Sequence, residues 1–230
     1  MVTGAGGNLA RGVLTRFAQE GATLVMVDVR AEWLDSAAEA LKDQLGPHLK
    51  ISGDIGAPEQ MDEVIRQAHA AYGRIDVLIH TAGGFAAGTP VHQSSLDEFN
   101  RMMYLNAQLV WVACGRVAKY MVDQGIKGSI IAVLARSALK GAKNMAAYTA
   151  SKAAAERIVQ SMAAELLDYG IRVNGVLPST IDTPANRRDM PNADFSRWVT
   201  PQQIADVMIF LASDAASAIS GDSVGVYGRA

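Results

Sequence analysis

Cysteine is almost missing from this chain: Cys114 stands alone among 230 residues. One thiol makes no internal disulfide, and with only four histidines the Cys/His set is too sparse for a metal cluster, so no metal is expected. Charge is scarce too, at 19% of residues, and nearly balanced, with a net charge of −2 and a pI near 6.1. No basic stripe marks a nucleic-acid or membrane-surface partner. No apolar run approaches the ~18 residues a membrane span requires, and the start does not read as a signal peptide. Together these absences predict a soluble, cytoplasmic protein whose partner is a small molecule. What is abundant is apolar: half of the residues are hydrophobic, which excludes a disordered chain. The length suits one α/β domain over residues 1–230 better than two small ones.

Short β-branched runs alternate with longer helical patterns, the mark of βαβ units and a parallel sheet. Strands are expected at 1–3, 23–28, 49–52, 75–79, 128–134, 171–177 and 223–227, most of them continuously apolar, as strands covered on both faces are. Helices are expected at 9–20, 31–45, 58–72, 96–123, 146–169 and 201–212, with Pro58 and Pro201 at first-turn positions. The fold class is therefore a single-domain, Rossmann-like, doubly wound parallel sheet of about seven strands with helices on both faces. Residues 179–200 read as irregular, and a loop of that length in a compact domain is usually functional, often a lid. Only Met1 and Val2 precede the first glycine turn, whereas a central strand usually has ~5–6 residues. The first strand is either short or truncated.

Gly4, Gly6 and Gly7 lie between that strand and a helix opening at Asn8-Leu9-Ala10. Glycines there let the backbone turn tightly and approach a pyrophosphate seated on the helix N-terminus; the alternative is an ordinary strand-to-helix turn. Asp28 ends the second strand, 24 residues beyond Gly4, where a carboxylate accepts both adenosine ribose hydroxyls. It repels a 2′-phosphate, so NAD(H) is preferred, while Arg30 two residues on offsets that and admits NADP(H). Asp54, in Gly53-Asp54-Ile55, reads either as an acceptor for the adenine amino group or as a turn aspartate. Thr81-Ala82-Gly83-Gly84 ends the fourth strand with residues small enough for ribose to pack on backbone.

Tyr148 and Lys152 are spaced i, i+4 at the start of a long helix, hence on one face. A neighbouring ammonium favours phenolate, which predicts a Tyr148 pKa below the usual ~10 and a usable proton donor or acceptor near neutrality. Lys152 is also placed to hold nicotinamide ribose hydroxyls.

With these residues in hand, the chain resembles a short-chain dehydrogenase/reductase over nearly its whole length. The glycine turn, Asp28, Asp54, Thr81-Ala82-Gly83, Asn106, Tyr148-x-x-x-Lys152 and Pro178-x-x-Ile181-x-Thr183 fall in that family's order and spacing. The resemblance implies NAD(P) at the strand C-termini and a homodimer or homotetramer. It implies that Asn106 anchors a water relaying protons to Lys152; otherwise Asn106 is a helix-kinking polar residue. By the same resemblance Pro178 lies against the cofactor, and the Ile181 backbone and the Thr183 hydroxyl fix the nicotinamide carboxamide.

Two departures bear on function. Asn8 and Ala10 stand where the family usually has glycine, and Asn8 tolerates positive φ at the cost of bulk. The family's serine, thirteen residues before the tyrosine, is here Ala135; Ser137 reaches the same place if the chain stays extended. The serine-less strand end, residues 82–88 and residues 177–198 resemble the dihydropteridine reductase branch, which implies NADH reduction of an electron-poor, pterin-like or quinone-like substrate. In that reading Tyr148 is the proton source, with Phe195 or Trp198 stacking on the substrate or packing the lid's own core. The alternatives are a carbonyl reductase or alcohol dehydrogenase in which Ser137 replaces the missing serine, and a non-catalytic nucleotide-binding sensor. His80 is expected to be structural.

Overall fold

The computed structural model describes residues 1–229. Seven strands form one parallel sheet in the order β3-β2-β1-β4-β5-β6-β7. They are β1 (Val2–Thr3), β2 (Leu24–Asp28), β3 (His48–Ser52), β4 (Val77–His80), β5 (Ser129–Val133), β6 (Arg172–Pro178) and β7 (Ser223–Val226). The helices are α1 (Asn8–Gln19), α2 (Ala31–Ala40), α3 (Pro58–Tyr72), α4 (Leu96–Met103), α5 (Leu109–Asp123), α6 (Ala146–Glu165), α7 (Pro184–Asp189) and α8 (Pro201–Ala212). Because successive strand residues point to opposite faces, the apolar strands feed two cores. Val25, Val27, Ile130 and Ala132 pack with α3, α5 and α6. Leu24, Met26, Ile131 and Val133 pack with α1, α2 and α8. A doubly wound sheet is thus the direct result of strands apolar on both sides. Among the described residues no helix is long and apolar enough to cross a membrane.

β1 is two residues long and pairs with both β2 and β4. Backbone bonds beyond its ends extend the ladder, from Ile79 N to Met1 O and from Thr81 N to Thr3 O. The strand order reverses between β1 and β4, the topological switch point where open α/β sheets bind ligands at their carboxyl ends.

Four expected elements end differently. The helix expected at 31–45 stops at Ala40, where the apolar stripe gives way to Lys42-Asp43-Gln44 ahead of Gly46-Pro47. The helix expected at 96–123 is broken by a π-turn at Tyr104–Gln108, and the one expected at 146–169 ends at Glu165 before a 3-10 turn, Leu167–Tyr169. Residues 179–200 are not irregular. They contain α7, whose N-terminus is capped by the Thr183 hydroxyl with Pro184 in its first turn, and a 3-10 turn at Phe195–Arg197. The cap-and-proline signal was present in the sequence.

Candidate active site

At the switch point a cleft of about 470 Å³ is lined by Gly4, Gly7, Asn8, Asp28, Asp54 and Ala82, among others. Gly4 has φ +72°, and a Cβ on it would lie 2.6 Å from the Ala82 nitrogen, so only glycine fits between the first and fourth strand ends. Gly7 caps α1 without a side chain, which leaves the N–H groups of the first turn to a ligand. Asn8 is the first residue of α1 and does not have positive φ; among the described non-glycine residues only Asn144 does. Its helical position means that its tolerance of positive φ is not called on. Leu9 and Ala10 follow it in α1, so the open turn leads straight into the helix N-terminus.

Asp28 is buried, and its carboxylate is fixed by two backbone N–H groups, Gly6 N to Oδ2 at 2.9 Å and Val29 N to Oδ1 at 2.8 Å. Arg30 lies over the Trp33 ring, 4.6 Å from its centroid, and Trp33 also lines the cleft. Asp54 accepts from Gly56 N at 2.9 Å and, through both oxygens, from the Tyr104 hydroxyl at 2.9 and 3.0 Å. It is therefore a turn aspartate that also faces the cleft, next to Ile55. Burial raises the Tyr104 pKa, with Asp54 adding to the effect. A glycine-floored cradle, an uncapped helix and a rim carboxylate fit a dinucleotide.

Beyond the cleft lies the proton-bearing group. β5 runs into Ala135, which is buried and extended (φ −161°, ψ 151°). The chain does not stay extended after it, as the sequence reading required. It enters a 3-10 turn at Arg136–Ala138, and that turn brings the Ser137 hydroxyl near enough to Tyr148 to act on its pKa. Asn106, on the π-turn, is fully buried. Its Oδ1 accepts from Gly84 N at 3.1 Å, and its Nδ2 donates to Gly84 O and Ser151 Oγ, both at 3.0 Å. Ser151 in turn donates to Tyr148 O at 2.8 Å. The Lys152 ammonium, also buried, donates to Val133 O at 2.9 Å. It converges with the Asn106 amide beneath Gly83, where an added Cβ would lie 2.9 Å from Asn106 Oδ1 and 3.4 Å from Lys152 Nζ.

The electrostatics differ from the sequence expectation. Burial holds the Tyr148 pKa above its ordinary value, and the nearby Ser137 hydroxyl pulls the other way. The i, i+4 spacing predicts lowering by Lys152, but that ammonium is committed to a carbonyl, and desolvation dominates. Burial also lowers the Lys152 pKa to about 8. His80 ends β4 fully buried, sharing a 2.9 Å hydrogen bond between Nδ1 and Thr3 Oγ1. Desolvation, then the Lys152 charge, lowers its pKa to about 3, so it stays neutral.

On the far side, β6 ends at Pro178, and Ile181 forms an isolated bridge with Val199. Asn186 ties this corner together, its N–H donating to Thr183 Oγ1 at 3.2 Å and its Nδ2 to Ile181 O at 2.8 Å. Phe195 and Trp198 pack on each other with centroids 4.8 Å apart, and Arg187 covers Phe195 while pairing with Asp182. Both rings thus build the segment's own core. Sequence reasoning missed Trp33, Tyr104, Ser151 and Phe85. Ser151 lay inside the Tyr148–Lys152 motif and Phe85 inside the segment 82–88, whereas Trp33 and Tyr104 carried no local signal.

Comparison with known proteins agrees with this geometry. A family model described as enoyl-(acyl carrier protein) reductase matches residues 4–228. The 3-oxoacyl-(acyl-carrier-protein) reductase of Thermotoga maritima is 31% identical, over 99% of this chain and 95% of the relative. The meso-2,3-butanediol dehydrogenase of Serratia marcescens is 33% identical, over 100% of this chain and 93% of the relative. The solved structure of an NAD+-bound xylitol dehydrogenase superposes with a TM-score of 0.91 at 25% identity, covering 99% of this chain and 96% of the other.

The buried ammonium has a consequence for stability. A lysine held at about 8 in the folded chain against an ordinary 10.5 disfavours folding in full below about 8, and the penalty vanishes as pH rises towards 10.5. Lys152→Met removes it. The melting-temperature difference between Lys152→Met and the parent chain should therefore favour the variant most near pH 7 and shrink steadily by pH 10. A difference independent of pH would contradict the burial cost.

Proposed function

The chain belongs to the short-chain dehydrogenase/reductase family and is an NAD(P)-dependent oxidoreductase, and from that premise we propose that it interconverts a carbonyl and an alcohol on a small molecule through Tyr148, Ser137 and Lys152. The observation that carries this reading is the 3-10 turn after Ala135, which brings the Ser137 hydroxyl into the neighbourhood of Tyr148. It supplies, two residues late, the hydroxyl that Ala135 lacks. Two hydroxyls side by side suit a single substrate oxygen: Tyr148 gives it a proton, and Ser137 steadies the charge that develops there. The bound nicotinamide supplies or takes the hydride. Burial keeps the Tyr148 phenol protonated at neutral pH, which suits the reducing direction. Lys152 brings a positive charge beneath the site, one that burial makes easier to lose than in an exposed lysine. Asn106 is placed by its amide bonds to brace the strand end and the helix on either side of that charge.

The second reading is the electron-poor, pterin-like or quinone-like substrate of the dihydropteridine reductase branch. Ala135, with no hydroxyl at the strand end, supports it; the Ser137 contact removes most of its necessity. The kinship with reductases and dehydrogenases stands against a non-catalytic sensor. Cofactor choice rests on Asp28, whose fixed carboxylate offers acceptors to ribose hydroxyls and repulsion to a 2′-phosphate; with Arg30 drawn onto Trp33, NAD(H) is preferred and NADP(H) tolerated. Association as a homodimer or homotetramer rests on the groove between α5 and α6. There Trp111, 68% exposed, lies beside Val112, Ile158 and Met162. A patch of this kind marks an interface.

Three outcomes test these proposals. Tyr148→Phe should abolish NADH-dependent ketone reduction, and Ser137→Ala should lower kcat by ~10²–10³; full turnover by Ser137→Ala would return the electron-poor reading to first place. NADH should bind on the order of tenfold more tightly than NADPH, a difference of about 1.4 kcal/mol, and Asp28→Ala should close that gap in fluorescence titrations. Trp111→Glu should shift the chain to monomer in sedimentation velocity; an unshifted assembly would place the contact elsewhere.

A further inference from the structure

Phe85 is 62% exposed, an unusual position for a large apolar ring so near the reaction centre. It is not loosely placed. Its ring packs edge to face against Tyr148, with centroids 4.9 Å apart and planes at 77°. The residue before it, Gly84, has both its N–H and its C=O engaged by the Asn106 amide. That amide is bonded in turn to Ser151, on the same helix as Tyr148. Three residues after Phe85 the loop is tied again, Gly88 N donating to Asn144 O at 2.9 Å, just ahead of that helix. The loop is thus braced at both ends against the element that carries the proton donor. It holds an aromatic ring open to solvent beside the tyrosine that meets the substrate.

We propose that Phe85 is the substrate-selecting wall of this site, and that it favours a carbonyl or alcohol conjugated to a flat, unsaturated ring over a small acyclic or saturated one. The inference rests on the proposed role of Tyr148 as proton donor and adds which substrates reach it. An exposed ring fixed edge to face against the tyrosine ring offers its surface to whatever group flanks the reacting carbon. An aromatic or conjugated group gains a ring contact there beyond simple burial, and a saturated ring of the same size gains burial alone. Support of Tyr148 by Phe85 is the competing role, and it makes a different demand: it acts on every substrate equally.

The holoenzyme with NADH can be assayed on acetophenone, cyclohexyl methyl ketone and diacetyl, for the parent chain, Phe85→Leu and Tyr148→Phe. Phe85→Leu keeps an apolar side chain but removes the ring. Its kcat/KM should fall about 3- to 10-fold on acetophenone, chiefly through KM, with cyclohexyl methyl ketone and diacetyl nearly unchanged. A uniform fall in kcat on all three would assign Phe85 to supporting Tyr148 and overturn the wall. No preference of the parent chain for acetophenone over its cyclohexyl counterpart would overturn it as well. Inhibition by benzamide and cyclohexanecarboxamide reads the same preference without turnover, and equal inhibition by both would reject the wall even if none of the ketones reacts. Activity retained by Tyr148→Phe would instead sink the underlying assignment of the proton donor, a result independent of the Phe85 comparison.

Discussion

The site depends on one side-chain amide held where water does not reach. Asn106 uses both ends of its amide on neighbours from other parts of the chain, Gly84 after β4 and Ser151 in α6. A buried amide left unsatisfied costs ~1–3 kcal/mol, so the three elements are fixed in register by the need to satisfy it. The π-turn is what makes this reach feasible. One extra residue in the turn breaks the spacing between α4 and α5, and such turns recur at functional sites. Tyr104 opens the turn and bonds Asp54 in the switch-point cleft, whereas Asn106, two residues on, bonds the helix that carries Tyr148 and Lys152. A single local irregularity therefore joins the two halves of the site.

Electrostatics inside this frame are governed by desolvation more than by pairing. Lys152 and Tyr148 are one helical turn apart, and at a solvated surface their charges would act on each other as the spacing predicts. In the buried site each group is first penalised for its own charge: the ammonium falls to about 8, the phenol moves up, and the neighbouring histidine drops to about 3. All three shifts favour the neutral form. Desolvation thus leaves the tyrosine more firmly protonated, and the lysine less firmly, than either would be at a solvated surface.

How much of this could be read from the residues follows from how local each cause is. The central strands were legible because a strand covered on both faces is nearly continuously apolar, and that needs no knowledge of its neighbours. The glycine turn, Asp28 and the Tyr148–Lys152 spacing were legible for the same reason, each being confined to a few residues. Tyr104 on Asp54 was not, since the partners are fifty residues apart and neither carries a periodic signal. The π-turn was hidden inside a continuous apolar pattern. By contrast, α7 was readable from Thr183-Pro184 and was obscured by the polar composition around it.

Ser137 shows why counting residues is a poor guide to where a functional group lies. Thirteen places before the tyrosine the chain has a buried alanine in extended geometry. An extended strand rises ~3.3 Å per residue, so a serine two positions later would be carried about 7 Å onward if the strand simply continued. The 3-10 turn rises only ~2.0 Å per residue and curls the chain back on itself, which returns the hydroxyl to the phenol. Position in the sequence and position in the site are decoupled by one turn of backbone. On the reading proposed above, the oxygen near Tyr148 is what the chemistry needs, and the residue number that supplies it is secondary. On that reading, the alanine at the family's customary serine position weighs less than a hydroxyl brought near the phenol by the turn.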